Sequence, residues 1–161
     1  MKTLALDLGT HTGFAVHANT ITSSGSILFK RYKGCKSKPA DHMGKVILDF
    51  HKWLRNQIIE GKYDCIIYEA VYRWSSSDAA KAYGAFRGIL MLNAAAYGID
   101  VFAYSPTAIK KHFTGKGNAN KEAMLKEGRK RYPHHFIKDD NEADALALLS
   151  LHLETLALAT K

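Results

Sequence analysis

A mixed β-sheet flanked by helices, an α/β fold, is expected from a change of hydrophobic periodicity along the chain. The first thirty residues read as short strands joined by tight turns. From residue 42 onward, helical spacing alternates with two more apolar strands. An antiparallel meander that feeds strand and helix crossovers gives one mixed five-stranded sheet with helices on its faces.

"TLALDLG" is a buried strand ending in a Gly turn, and "TGFAVHA" and "TITSSGSILFK" are strands joined at a short turn near Asn19. "RYKGCKSKPAD" is basic and rich in breakers, a loop. Between His42 and Ile59, Val46, Ile47, Phe50, Trp53, Leu54 and Ile58 recur at helical spacing, and Gly61 ends that helix. "YDCIIYEA" is the fourth strand. After the polar "VYRWSSS", Asp78 is the expected N-cap of a helix running to Gly98. Its small residues Ala80, Gly84, Ala85 and Gly88 admit close approach, either by the chain's own sheet or by a second copy. "IDVFAYS" is the fifth strand, and Ser105 caps a short helix that Pro106 opens. The loop "TGKGNAN" leads to a helix capped by Asn120 that stops before Pro133. "DDNEADALALLSLHLETLALA" closes the chain as a helix apolar nearly all round after its first turn, as a buried helix is. No repeat, low-complexity tract or linker interrupts the chain, so residues 1–161 are expected to form a single domain.

Composition bounds the function. The chain is 47% hydrophobic and 24% charged, ordinary for a folded domain, and 23 Lys and Arg against 15 Asp and Glu leave a net charge of +8. That excess favours a polyanionic partner. Cys35 and Cys65 form no CxxC pair, which argues against a disulfide framework or a structural zinc. "MKTLAL" is too short an apolar run for a signal-peptide core, and no stretch of about 18 apolar residues occurs, so a cytoplasmic protein is expected.

Against this background the acids stand out. Asp7 is the only acidic residue of the first thirty and ends an apolar strand, and Glu69 ends another. Asp139, Asp140, Glu142 and Asp144 open the last helix, where Asp140 and Asp144, four apart, share a face. Ligand sites in such sheets gather outside strand carboxyl ends. Acids in a helix's first turn are also favoured by the macrodipole and by capping, so "DDNE" alone does not define a site. Several carboxylates brought together repel unless a cation compensates, and Mg²⁺ or Mn²⁺ suits oxygen donors. Two such ions would suit phosphodiester hydrolysis. "DLGT" is equally compatible with a phosphate-cradling ATPase loop, although that class needs two subdomains and this chain is too short for them.

"LALDLGTHTG", "IIYEAVY", "GAFRGILMLNAAAYGIDVFAYSPTAIKKHFTGKGNANKEAM" and "NEADALALL" together resemble the RuvC-type Holliday-junction resolvases of the ribonuclease-H-like superfamily, in particular their compact phage-like members. The resemblance implies a Mg²⁺-dependent endonuclease that cuts four-way DNA junctions by paired symmetric nicks, acting as a homodimer with two metal ions per site, Mn²⁺ being a possible substitute. It implies Asp7, Glu69 and Asp144 as metal-holding acids. Three residues before the last acid the family has Asp or His, and this chain has Asn141. Either Asp140 supplies the missing carboxylate, or Asn141 serves as a neutral ligand or supporting partner. Tyr72 falls where the family stacks an aromatic on a base, and Lys110 and Lys121 match two phosphate-contacting lysines. Arg73 and Lys116 are further candidate DNA contacts. The turn after Asp7 is one residue shorter than usual, with Leu8 where bacterial members tend to have Pro.

His11 either contacts the phosphate or decorates a turn, and His134 and His135 read as loop residues. Trp74 is a candidate for DNA or a dimer contact, and "KRYKGCKSKP" and "EGRKRYP" for duplex arms or plain solvated faces. The alternatives in function are a broader flap, branched-DNA or RNA–DNA hybrid nuclease of the same superfamily, and a catalytically silent junction-binding module.

Overall fold

The computed structural model describes residues 1–29, 39–73 and 76–159, with the side chains of Thr22 and of residues 39–42 left aside. Most of the basic stretch "KRYKGCKSKP", with Cys35, and Trp74 lie outside the described residues.

Strands β1 (Lys2–Asp7), β2 (His11–Ala18) and β3 (Thr20–Leu28) form an antiparallel meander. Helix α1 (Pro39–Gly61) leads to β4 (Cys65–Glu69), α2 (Ser77–Tyr97) to β5 (Asp100–Tyr104), and α3 (Pro106–Thr114), α4 (Lys121–Arg131) and α5 (Asp140–Ala159) complete the chain. The sheet order is β3-β2-β1-β4-β5, with β4 parallel to both β1 and β5. This is the mixed five-stranded α/β sheet that the periodicity predicts.

The period-two alternation of β1 sends Leu4 and Leu6 to one face and Ala5 and Asp7 to the other. On the first face, α1 and α2 bury Phe50, Leu54, Phe86 and Leu90, and Phe29, Phe50, Trp53 and Phe86 pack ring against ring. On the second face α5 lies across β1 and β2 with Ala145, Leu146, Leu148 and Leu149 buried, and Phe113 of α3 and Met124 of α4 close the layer.

The α2 N-cap differs from expectation. Ser76, in extended conformation, accepts a hydrogen bond from the Ala79 amide, while Asp78 sits inside the first turn and pairs with Lys81 at 3.8 Å. A hydroxyl one residue before the helix satisfies an amide that Asp78, already helical, does not reach. Along α2, Tyr83, Phe86, Leu90 and Ala94 face the core, whereas Gly84 and Gly88 are exposed and an added Cβ at either would meet nothing. Those two glycines do not pack on the chain's own sheet. Gly98 ends the helix in the left-handed region, at φ 64°, as the sequence suggests.

Gly13 is required for a different reason. A Cβ there would run into the backbone carbonyl of Asn141, in the first turn of α5. Gly13→Ala is expected to push α5 off β2 and to destabilise the fold by about 1–3 kcal/mol, the usual cost of overpacking. Urea unfolding checks this, and an unchanged midpoint would mean that α5 yields freely at this point.

Candidate active site

Asp7 is paired with Gly13 on β2, and Leu6 is paired with Tyr68 on β4, which makes Asp7 and Glu69 the next rung of the parallel ladder. Both acids therefore end adjacent central strands and point to the α5 face, as Ala5 and Ile67 do two residues earlier. The end of β4 is pinned: the Tyr83 hydroxyl donates to the Glu69 carbonyl at 2.9 Å and accepts from the Val71 amide at 3.2 Å, and the Ala70 amide donates to the Tyr104 carbonyl at 2.8 Å.

The first two turns of α5 supply the other acids. Asp144 and Asp140 are close enough to Asp7 for their charges to raise its pKa, after burial and Glu69, which weigh more. Burial, then Asp144, pushes Glu69 up to about 7. Asp144 rises to about 6, chiefly from burial, with Lys110 opposing. Asp140 is the exception: its ion pair with Lys121 holds its carboxyl below the usual range. Lys110, on α3, and Lys121, at the start of α4, thus reach these acids from one side.

Asn141 and Asp139 turn the other way. The Asn141 side-chain amide donates to His11 Nδ1 at 3.1 Å, which leaves His11 Nε2 as the donor toward Asp139, 3.3 Å away. Asp139 is the N-cap of α5, accepting from the Glu142 amide at 3.0 Å and from the Ser26 hydroxyl. Glu142 is buried and accepts from the Ser24 hydroxyl at 2.7 Å and the Lys138 amide at 3.0 Å. Asp139 and Glu142 are therefore docking groups, and His11 has both ring nitrogens engaged in the same task. Sequence reading missed this clasp, although Ser24 and Ser26, two apart on β3, carried the signal of a polar face directed at another element.

Of the remaining candidates, Tyr72 is 79% exposed just beyond β4, with exposed Arg73 beside it. Lys116 is exposed in the α3–α4 loop.

A three-stranded antiparallel meander joined to two parallel strands, with acids at the centre of the sheet and on the last helix, is the architecture of the ribonuclease-H-like α/β class. The family model for the crossover junction endodeoxyribonuclease RuvC matches residues 4–152. The chain belongs to the RuvC family and is, with it, a divalent-metal-dependent phosphodiester hydrolase. It is 30% identical to the RuvC of Chloroflexus aggregans over 158 residues, 96% of this chain and 94% of that one. It is 29% identical to the RuvC of Ruegeria pomeroyi over 94% of this chain and 90% of the relative. A shorter match, 40% identical, to the RuvC of Anaeromyxobacter dehalogenans spans 56% of this chain and about half, 49%, of that protein. The fold is similar to that of Thermus thermophilus RuvC in complex with a Holliday junction substrate, with a TM-score of 0.77 at 20% identity over 99% of this chain and 97% of that one. It is also similar to the yeast mitochondrial Holliday junction resolvase Ydc2, with a TM-score of 0.65 at 14% identity over 92% and 76% of the two chains.

The side chains present fit a divalent cation by donor chemistry. Asp144 Oδ1 is buried without a hydrogen-bond partner, an arrangement that costs free energy unless a cation answers it. Asp7, Glu69 and Asp144 are hard oxygen donors whose mutual repulsion a cation would relieve. Among the described residues no three His, Cys, Asp or Glu side chains already form a closed ligand set, so the fit rests on the chemistry of the donors.

The raised pKa values set a sign. Glu69 ionises near 7 when folded against an ordinary 4.5, so across that window the folded chain holds more protons than the unfolded one, and stability falls as pH rises. In EDTA, wild type is expected to lose thermal stability between about pH 5 and pH 8 more steeply than Glu69→Gln, with saturating Mg²⁺ shrinking the difference. Parallel melting curves for the two proteins would contradict the assignment of Glu69 to a strained acidic cluster.

Proposed function

We propose that this chain resolves four-way DNA junctions, with Asp7, Glu69, Asp144 and Asp140 holding two Mg²⁺ ions. The observation that carries this reading is the convergence of four carboxylates from β1, β4 and α5 on one side of the sheet, with Asp144 Oδ1 left unanswered. Divalent ions there would supply the positive charge that phosphodiester hydrolysis needs.

The chain's own residues do the rest. Asp140 is the fourth acid, because Asn141 is committed to His11 and Asp140 is turned toward Asp7 and Asp144. Lys110 and Lys121 partly neutralise the acids in the absence of substrate and are placed to receive the scissile phosphate and its neighbour. Asp140 would hold a divalent ion in place of the Lys121 ammonium, which would leave Lys121 for a DNA phosphate. Tyr72, unpacked beside the end of β4, offers a face on which a base at the branch can stack, with Arg73 beside it for the backbone and Lys116 for a more distant phosphate.

Two symmetric nicks need two copies, and the homodimer is supported by the open stripe of Gly84, Gly88 and 61%-exposed Leu92 on α2. Residues 1–161 act in this reading as one domain. No helix among the described residues is long and apolar enough to cross a membrane, in keeping with a cytoplasmic setting, the host's cytoplasm for a phage-encoded member.

The test is cleavage of a labelled, immobile four-way junction in Mg²⁺, with a duplex of equal length beside it. Wild type is expected to give paired nicks on opposing strands, and Asp7→Asn to bind the junction without cutting it. Flaps or RNA–DNA hybrids cut in preference to the junction would move the substrate assignment to the broader nuclease reading. In the same assay Tyr72→Ala should weaken junction binding by about 1–3 kcal/mol while leaving duplex affinity unchanged. Equal losses on both substrates would remove Tyr72 from the branch point.

A further inference from the structure

The segment between α4 and α5 carries the most exposed large hydrophobic side chain among the described residues. Phe136 is 87% exposed, more than Tyr72 at 79%. A Phe left in water forgoes the favourable burial that drives folding, about 1.5–3 kcal/mol, so an exposed one on an ordered segment calls for a reason.

The segment is ordered by its neighbours. Ile137, next in sequence, is 2% exposed, with its Cδ1 near Gly128 of α4 and its place in the core shared with Phe113 and Ala143. Arg129 Nη2 donates to the Ile137 carbonyl at 3.3 Å, the Ile137 amide donates to the His135 carbonyl at 3.0 Å, and the His135 amide donates to the Tyr132 carbonyl at 2.9 Å. Tyr132 stacks on Phe113, and the His135 ring stands edge-on to Tyr132. With Ile137 and Tyr132 locked inward, Phe136 is held outward by a fixed backbone.

Its position and surroundings indicate what it faces. Phe136 lies four residues before Asp140 and three before Asp139, the N-cap clasped to His11 and Ser26, so the chain between them spans at most about 14 Å. Exposed Lys138 and Lys130, the latter also pairing with Glu127 at 3.7 Å, flank it in sequence in a chain of net charge +8. An aromatic face among cations suits a nucleic-acid base whose phosphates the cations hold. Exposure of a single ring, rather than of a broad apolar patch, suits a base better than a protein surface.

We infer that Phe136 is a second base-stacking residue, separate from Tyr72, which receives an unpaired or splayed base at the junction branch near the entry to α5. The inference rests on the junction reading above. It accounts for an aromatic at the entry to α5 that neither the acids nor the fold requires.

The experiment compares wild type, Phe136→Ala, Phe136→Leu and Phe136→Trp for affinity toward an immobile four-way junction and toward a duplex of equal length, in EDTA so that nothing is cut. 2-Aminopurine placed at the branch reports stacking, and the mass in solution is followed for each variant. Phe136→Ala is expected to lose about 5- to 150-fold in junction affinity, with duplex affinity unchanged and the 2-aminopurine signal altered. Phe136→Trp should restore both and Phe136→Leu neither. Unchanged junction affinity in Phe136→Ala, full rescue by Leu, or a change in mass that marks Phe136 as a contact between copies would each overturn the inference and leave the junction reading standing. Wild type with no preference for the junction over duplex would overturn both.

Discussion

The acidic site depends on a contact that contains no acid. The Asn141 carbonyl rests on the bare Cα of Gly13, and that closeness lets α5 lie flat across β2 with its first turn beside Asp7, the cross-strand partner of Gly13. Around it the His11, Ser24 and Ser26 side chains tie Asn141, Asp139 and Glu142 to the meander. A helix end is ordinarily the part of a helix most prone to fray, because its amides lack partners. Here the end is held by Asp139 as cap and by hydrogen bonds to two strands. The carboxylates one and five residues further on inherit that rigidity.

Rigidity is needed because the site opposes its own assembly. Asp7, Glu69 and Asp144 all hold their protons more tightly than free carboxyls do, first through loss of solvent and then through a neighbouring carboxylate, Glu69 and the α5 acids for Asp7, Asp144 for Glu69, and Asp140 for Asp144. Lys110 and Lys121 relieve part of this, and Lys121 does so by direct pairing with Asp140. Two ammonium groups against four carboxylates leave the cluster short of positive charge. An unpartnered Asp144 oxygen is the local sign of that shortage. The neutral Asn141 in place of an acid fits the same logic, since a fifth charge would add repulsion without adding a hold on the helix, whereas an amide gives His11 a donor.

Much of this was legible in the sequence because strands and helices announce themselves by period, and acids ending apolar strands stand out against it. Asp7 and Glu69 could be placed at strand ends from "LALDLG" and "IIYEA" alone, and Asp140 and Asp144 on one helical face from their spacing. The sorting of "DDNEAD" into docking and site groups was not legible. Asp139 and Asp140 are chemically identical neighbours, and only the strand beneath decides that one meets Ser26 and the other Lys121. The same holds for α2: Ser76 and Asp78 are both good caps, and the choice depends on where the backbone leaves the extended region. Gly13 was visible as a residue but not as a requirement, because the neighbour that needs it lies 128 positions along the chain.

The sheet divides its labour by face. Toward α1 and α2 it presents Leu4, Leu6, Val16 and Ile66 to an aromatic cluster of Phe29, Phe50, Trp53 and Phe86, a layer of apolar packing that needs no polar partner and holds β1 and β4 in register. Toward α5 the same strands carry Thr3, Cys65, Asp7 and Glu69, and α5 answers with His152, whose ring meets Tyr104 at 2.8 Å and Cys65 at 3.7 Å. Polar groups buried on that face must each find a partner, which narrows the positions α5 can adopt. A helix placed by many small polar fits is held in one register, while a purely apolar interface would let it slide by part of a turn. For a site whose acids must meet from β1, β4 and α5, that register matters more than the stability the polar groups forgo. The first face supplies that stability.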